Sequence, residues 1–128
     1  MADAGFLLDT NICIYALSGV SGPLRQRFEE QGAGRLFVSA ISLAEISVGY
    51  GDRVFDAPDL ATFLEVVRVL PFDETAARIY GTLPFRRTRF DRLIAAHALA
   101  LGLTVVTNNE ADFADVPGLI VENWALPA

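Results

Sequence analysis

Three acidic residues stand in stretches of the chain that are otherwise almost free of charge. Asp9 is the only charged residue between Ala4 and Leu24 and directly follows Phe6-Leu7-Leu8. Glu45 is alone between Leu36 and Gly51, on a segment whose Ile41, Leu43, Ala44, Ile46 and Val48 leave little room for water. Asp91, with Arg92, precedes a run from Leu93 to Asn109 that carries no charge at all, and a fourth acid, Asp112, follows that run within Thr107-Asn108-Asn109-Glu110-Ala111-Asp112-Phe113. Singly, each acid has a structural reading: Asp9 and Asp91 as helix N-caps, Ser42-x-x-Glu45 as a capping box, Asp112 as the orderer of a turn. Jointly they suggest chemistry. Carboxylates gathered in one pocket repel one another unless a proton or a cation intervenes. Mg²⁺ or Mn²⁺ takes oxygen ligands and keeps waters that a phosphate can displace, which suits phosphodiester cleavage. Such an ion would polarise the phosphate and acidify a water, and a second could stabilise the leaving oxygen; the number of ions stays open. With one cysteine, Cys13, and one histidine, His97, the chain has no zinc-type cluster.

These acids need elements that bring them together. The apolar runs Gly5–Leu8, Leu36–Val38, Leu103–Val106 and Leu119–Val121 are continuous rather than alternating, as in strands buried on both faces of a parallel sheet. Between them lie segments of helical length: Asn11 to Leu17, Leu24 to Gln31, Ile41 to Tyr50, Leu60 to Val67, Glu74 to Leu83 and Asp91 to Leu101. Asp59 and Asp73 are placed to start two of these helices, and Gly102 to end the last. The expected architecture is an α/β three-layer sandwich, a mostly parallel central sheet flanked by helices, in a single domain over residues 1–128. Three of the acids follow strands, so they should share the carboxyl edge of that sheet, where ligand sites form in open α/β folds.

Composition narrows the field. Of 128 residues 52% are hydrophobic, which excludes a disordered chain, and no apolar run reaches the roughly 20 residues of a membrane-spanning helix. The N-terminus lacks the basic start of a secretory signal, and a lone cysteine suits a reducing compartment, so a cytoplasmic protein without membrane contact is expected. All 10 basic residues are arginine; without lysine, Schiff-base and P-loop chemistry are closed. A net charge of −6 leaves nucleic acid possible only through a local basic patch or bridging metal. The dense cluster Arg86, Arg87, Arg89 and Arg92 beside Asp91 is that patch, with a solvated loop as its bland alternative. Phe85 and Phe90 could stack on bases, although Phe90 before a helix also reads as a core staple. His97, Cys13 and Trp124 read as packing residues.

Four motifs in order, Leu7-Leu8-Asp9-Thr10-Asn11, Ser42-Leu43-Ala44-Glu45-Ile46-Ser47-Val48-Gly49, Phe90-Asp91-Arg92-Leu93-Ile94-Ala95-Ala96-His97-Ala98 and Val106-Thr107-Asn108-Asn109 with Asp112-Phe113, resemble the PIN-domain ribonucleases, most nearly the VapC toxins of bacterial toxin–antitoxin pairs. The likeness spans essentially the whole chain, including Val116-Pro117-Gly118-Leu119 and Glu122-Asn123-Trp124. It implies a PIN-like fold and an Mg²⁺-dependent endoribonuclease in which Asp9, Glu45 and Asp91 bind the metal, with Thr10, Asn11 and Thr107 as polar support. It also implies a homodimer and inhibition by a VapB-type antitoxin. Many members carry an acid two residues after the strand-end Thr. Here Asn109 stands there and Asp112 follows, so the fourth position lies between these two. The stretch Pro84–Arg89 is also short where relatives have a longer loop.

Two other readings compete. A haloacid-dehalogenase-like phosphatase would use Asp9 as nucleophile, but its second aspartate would fall at Asn11 and its lysine is missing. A catalytically silent PIN-like binding module would leave isolated acids in apolar surroundings without a ligand, which is costly.

Overall fold

The computed structural model describes residues 5–19, 22–32, 34–84 and 89–124, with the Arg89 side chain excepted. Strand β1 (Phe6–Leu8) leads into helix α1 (Thr10–Ser18) and α2 (Gly22–Gln31). Strand β2 (Leu36–Ser39) leads into α3 (Ala40–Tyr50), a 3-10 helix Gly51–Phe55, and α4 (Pro58–Val66). Then come β3 (Arg68–Leu70), α5 (Glu74–Tyr80), α6 (Arg89–Leu101), β4 (Thr104–Val106), a 3-10 helix Glu110–Phe113, and β5 (Val121–Glu122). The five strands form one sheet in the order β3-β2-β1-β4-β5, and every pairing is parallel. The expected sandwich is what forms.

Strand β1 is central and its three residues are buried, which explains its unbroken apolar run. Alternate side chains serve opposite faces: Phe6 and Leu8 pack with Val38, Ile12, Leu24, Leu60 and Trp124, whereas Leu7 packs with Val105, Ile94, Ala95, Ala98 and Phe113. Helices α1, α2 and α4 therefore cover one face and α6 the other, with α5 packed on α6. Gly5 at φ 109° lets β1 start against β2, because a Cβ there would meet the Arg35 carbonyl oxygen at 2.7 Å. Among the described residues no helix is long and apolar enough to cross a membrane.

Most expected elements are present, with four corrections. Strand β3 was not expected: it begins directly after the expected helix Leu60 to Val67, and it is an edge strand with one partner and an exposed first residue. The helix expected to reach Leu83 stops at Tyr80, and Thr82 Oγ1 donates back to the Ile79 carbonyl. The last strand is Val121–Glu122, two residues later than the run suggests. Helix α4 starts with Ala57 at its N-cap and Pro58 in its first turn, while Asp59 accepts from the Tyr50 hydroxyl at 2.7 Å. Asp73 does cap α5, accepting from the Ala76 amide at 3.1 Å, and Gly102 at φ 68° does follow α6.

Candidate active site

The parallel register fixes the first level of the site. Leu8 pairs with Val38 on one side and Val106 on the other, so the next residues, Asp9, Ser39 and Thr107, stand abreast at the carboxyl edge of the sheet. The Asp9 amide extends the ladder by donating to the Val106 carbonyl at 2.9 Å. Asp9 is also the N-cap of α1 and accepts from the Ile12 amide at 2.9 Å, so its structural reading holds alongside any chemical one. The buried Thr107 hydroxyl faces the Asp9 carboxylate and favours its ionised form, while accepting from the Asn109 amide at 3.0 Å.

Glu45 lies on α3, one turn beyond Ser42. The capping-box expectation is corrected here: Ser39 caps α3, accepting from the Ile41 amide at 3.1 Å. Ser42 and Glu45 turn instead to α1, where the Thr10 hydroxyl hydrogen-bonds Ser42 Oγ at 3.0 Å and Glu45 Oε1 at 2.5 Å. Glu45 is also less enclosed than its apolar neighbours suggest, since Val48 is 83% exposed. Asn11, in the first turn of α1, is exposed.

Asp91 sits in the first turn of α6, inside the helix rather than at its N-cap. Burial, then repulsion from Asp112 and the hydrogen bond a protonated Asp91 makes to it, then Asp9 and Glu45, push its pKa up to about 6. Asp9 is likewise raised, chiefly by burial, which outweighs the opposing hydrogen bonds from Thr107 and the Ile12 amide, with smaller contributions from Asp112 and Glu45. The four acids thus feel one another across three elements and a loop. Asn109 donates its amide to Asp112 Oδ2 at 2.8 Å, so the two candidates for the fourth position form one unit in which Asp112 faces the other acids.

A model of the PIN domain matches residues 6–119 of this sequence. The chain belongs to the PIN-domain family. Among PIN-domain proteins it is 34% identical to the tRNA(fMet)-specific endonuclease VapC of Shigella flexneri, an alignment covering 94% of this chain and 98% of that one. Its fold is similar to VapBC2 of Rickettsia felis, bound to a DNA fragment from its promoter, with a TM-score of 0.80, 30% identity, and coverage of 93% of this chain and 98% of that one. DNA-bound VapBC from Salmonella typhimurium is similar too, with a TM-score of 0.79, 32% identity, and 94% and 98% coverage.

The hard oxygen donors of this PIN-domain site suit a divalent cation, whose charge would offset the burial and the smaller mutual repulsion that raise the pKa values of Asp91 and Asp9. Among the described residues no group of three or more His, Cys, Asp or Glu side chains is arranged to hold a metal ion together. Mg²⁺ needs none, since it is ordinarily held by one or two carboxylates with waters filling its other positions.

The arginine cluster divides. Arg86 and Arg87 lie outside the described residues, as do Phe85 and the Arg89 side chain. Arg92 is not presented to RNA: it is 2% exposed and forms an ion pair with Asp115. Sequence reasoning gave that role to a surface arginine because nothing local marks Asp115 as its partner, 23 positions away. Phe90 is 54% exposed and is no core staple. His97 is buried, its Nδ1 2.9 Å from Ser39 Oγ, and Phe72 packs edge-on against the ring. Ser39 Oγ thus joins the first turn of α3 to the His97 ring. Ser39 and Ser42 are thus structural participants that their types alone did not single out.

Proposed function

We propose that this chain is a divalent-metal-dependent endoribonuclease, the toxin half of a type II toxin–antitoxin pair, acting through Asp9, Glu45, Asp91 and Asp112. The observation that carries the reading is Asp9 at the carboxyl edge of a parallel sheet with Glu45, Asp91 and Asp112 gathered near it, in a chain of the PIN-domain family. Relatives named as VapC endonucleases and VapBC complexes support RNA as the substrate and a VapB-type antitoxin as the partner.

Asp9 and Asp91 hold the ion, with Glu45 and Asp112 beside them; Mg²⁺ is the ion proposed, with Mn²⁺ as substitute. Bound there, it supplies Lewis-acid polarisation of the scissile phosphate and eases deprotonation of the attacking water. Thr10 orients Glu45, Thr107 favours the ionised form of Asp9, and Asn109 aims Asp112. Asn11, exposed in the first turn of α1, is proposed as a neighbour of the phosphate. Arg86, Arg87 and Arg89 are proposed to hold RNA phosphates on either side of the acids. Residues 1–128 act as one domain, in the cytoplasm, as a homodimer.

Purified protein incubated with total bacterial RNA and Mg²⁺ or Mn²⁺ should yield discrete products that vanish with EDTA and with Asp9→Ala. Folded, antitoxin-free protein that cleaves nothing in either metal would favour the silent binding module.

A further inference from the structure

The Arg92–Asp115 pair joins the two segments that carry Asp91 and Asp112. Arg92 is the neighbour of Asp91 in the first turn of α6, and Asp115 lies three residues beyond Asp112, after the 3-10 helix Glu110–Phe113. Between them Phe113 is buried against Ile94, Ala95 and Ala98 of α6, so the loop is held on that helix by one apolar and one ionic contact. On its other side the loop is tied back through Asn109, whose backbone amide donates to Thr107 and whose side chain donates to Asp112. Asp112 is thereby suspended between a strand end and α6.

Stability does not account for this pair. The guanidinium is enclosed, and among the described residues its buried Nε and Nη1 have no hydrogen-bond partner, so part of its lost hydration is not replaced. Because Asp115 is 38% exposed, solvent also screens the attraction that would compensate for enclosing the arginine. What the pair does secure is geometry: two carboxylates that repel each other are kept side by side because the residues next to them attract. Contacts one step behind metal ligands commonly alter metal affinity 10–100-fold when removed, roughly the scale to look for here.

We infer that Arg92 and Asp115 are positioning residues that hold Asp91 and Asp112 at metal-binding separation. The inference rests on the proposed metal site. It places Arg92 behind the site, acting through Asp91, and gives Asp115 a role through Asp112.

The test is Mn²⁺ binding by calorimetry to the full-length chain, with melting temperature recorded separately in EDTA. Asp115→Asn, which alters a partly exposed group, should weaken binding about 10-fold or more, and Asp115→Glu, which keeps the charge, should stay within about 3-fold of wild type. Arg92→Met should weaken binding to a similar extent, and the double variant Arg92→Met/Asp115→Asn no further than the worse single change, as expected of one shared interaction. If Arg92→Met does not fold, the Asn and Glu variants still decide the matter. Melting temperatures that fall while Mn²⁺ affinity stays at the wild-type value would overturn the inference and leave the pair as a fastener. Asp91→Ala separates the two levels: if it binds Mn²⁺ like wild type, the metal site itself is wrong, whereas loss in Asp91→Ala with none in Asp115→Asn defeats the positioning role alone.

Discussion

Asp91 is the residue at which fold and chemistry pull hardest against each other. Burial and three acidic neighbours push its pKa up to about 6, so in the metal-free folded chain it binds a proton that the unfolded chain releases near pH 4. Folding stability without metal should therefore decline as pH rises through that interval, and Asp91→Asn should remove the Asp91 share of the decline, leaving that of the buried Asp9. Thermal melts in EDTA across the interval check this by the difference between the two proteins. That difference is needed because His97 works in the opposite sense: burial lowers its pKa, so its contribution to stability is lost as pH falls through the ordinary histidine range, about 6.5. Protons and metal compete for the same carboxylates, so the Mg²⁺ concentration giving half-maximal RNA cleavage should rise as pH drops below about 6. A half-saturation point that ignores pH would place the ion elsewhere.

Capping separates the elements that serve the site from those that serve only the fold. Asp73 caps α5, and Asp73→Ala should cost about 1 kcal/mol in denaturant unfolding while leaving cleavage unchanged. Ser39→Ala removes the cap of α3 and also the hydrogen bond to His97 Nδ1, so it should cost more, toward about 2 kcal/mol or beyond. Because α3 carries Glu45 and α6 carries both His97 and Asp91, that variant should also raise the metal requirement; equal losses in the two variants would deny Ser39 this second role. Asp73 was legible as a cap from its place before Glu74-Thr75-Ala76-Ala77, since a cap acts within one turn. Ser39 was not, because half of what it does depends on a histidine 58 positions away.

At the scale of the whole molecule the chain end closes one face of the sheet. Trp124 has no exposed surface, meets Phe6 edge-on at 4.8 Å between ring centroids, and donates its indole proton to Glu122 at 2.8 Å. Trp124→Ala should cost about 3–5 kcal/mol in denaturant unfolding, and a loss under about 1 kcal/mol would mean that this end is not part of the core. Here the division between sequence and tertiary structure becomes plain. Sequence alone determined the alternation of buried strands and helices, because an unbroken apolar run suits only a strand covered on both faces. It also singled out Asp9, Glu45 and Asp91, because a lone charge in an apolar stretch is conspicuous wherever the chain goes. Tertiary structure decided which neighbours those acids have. The register of β1 against β2 and β4 set Asp9 level with Ser39 and Thr107, the α1–α3 contact handed Glu45 to Thr10, and the packing of the last loop on α6 turned Arg92 inward to Asp115. Local patterns report propensity and polarity within a few residues, whereas a partner 23 or 35 positions away exists only once the core has packed.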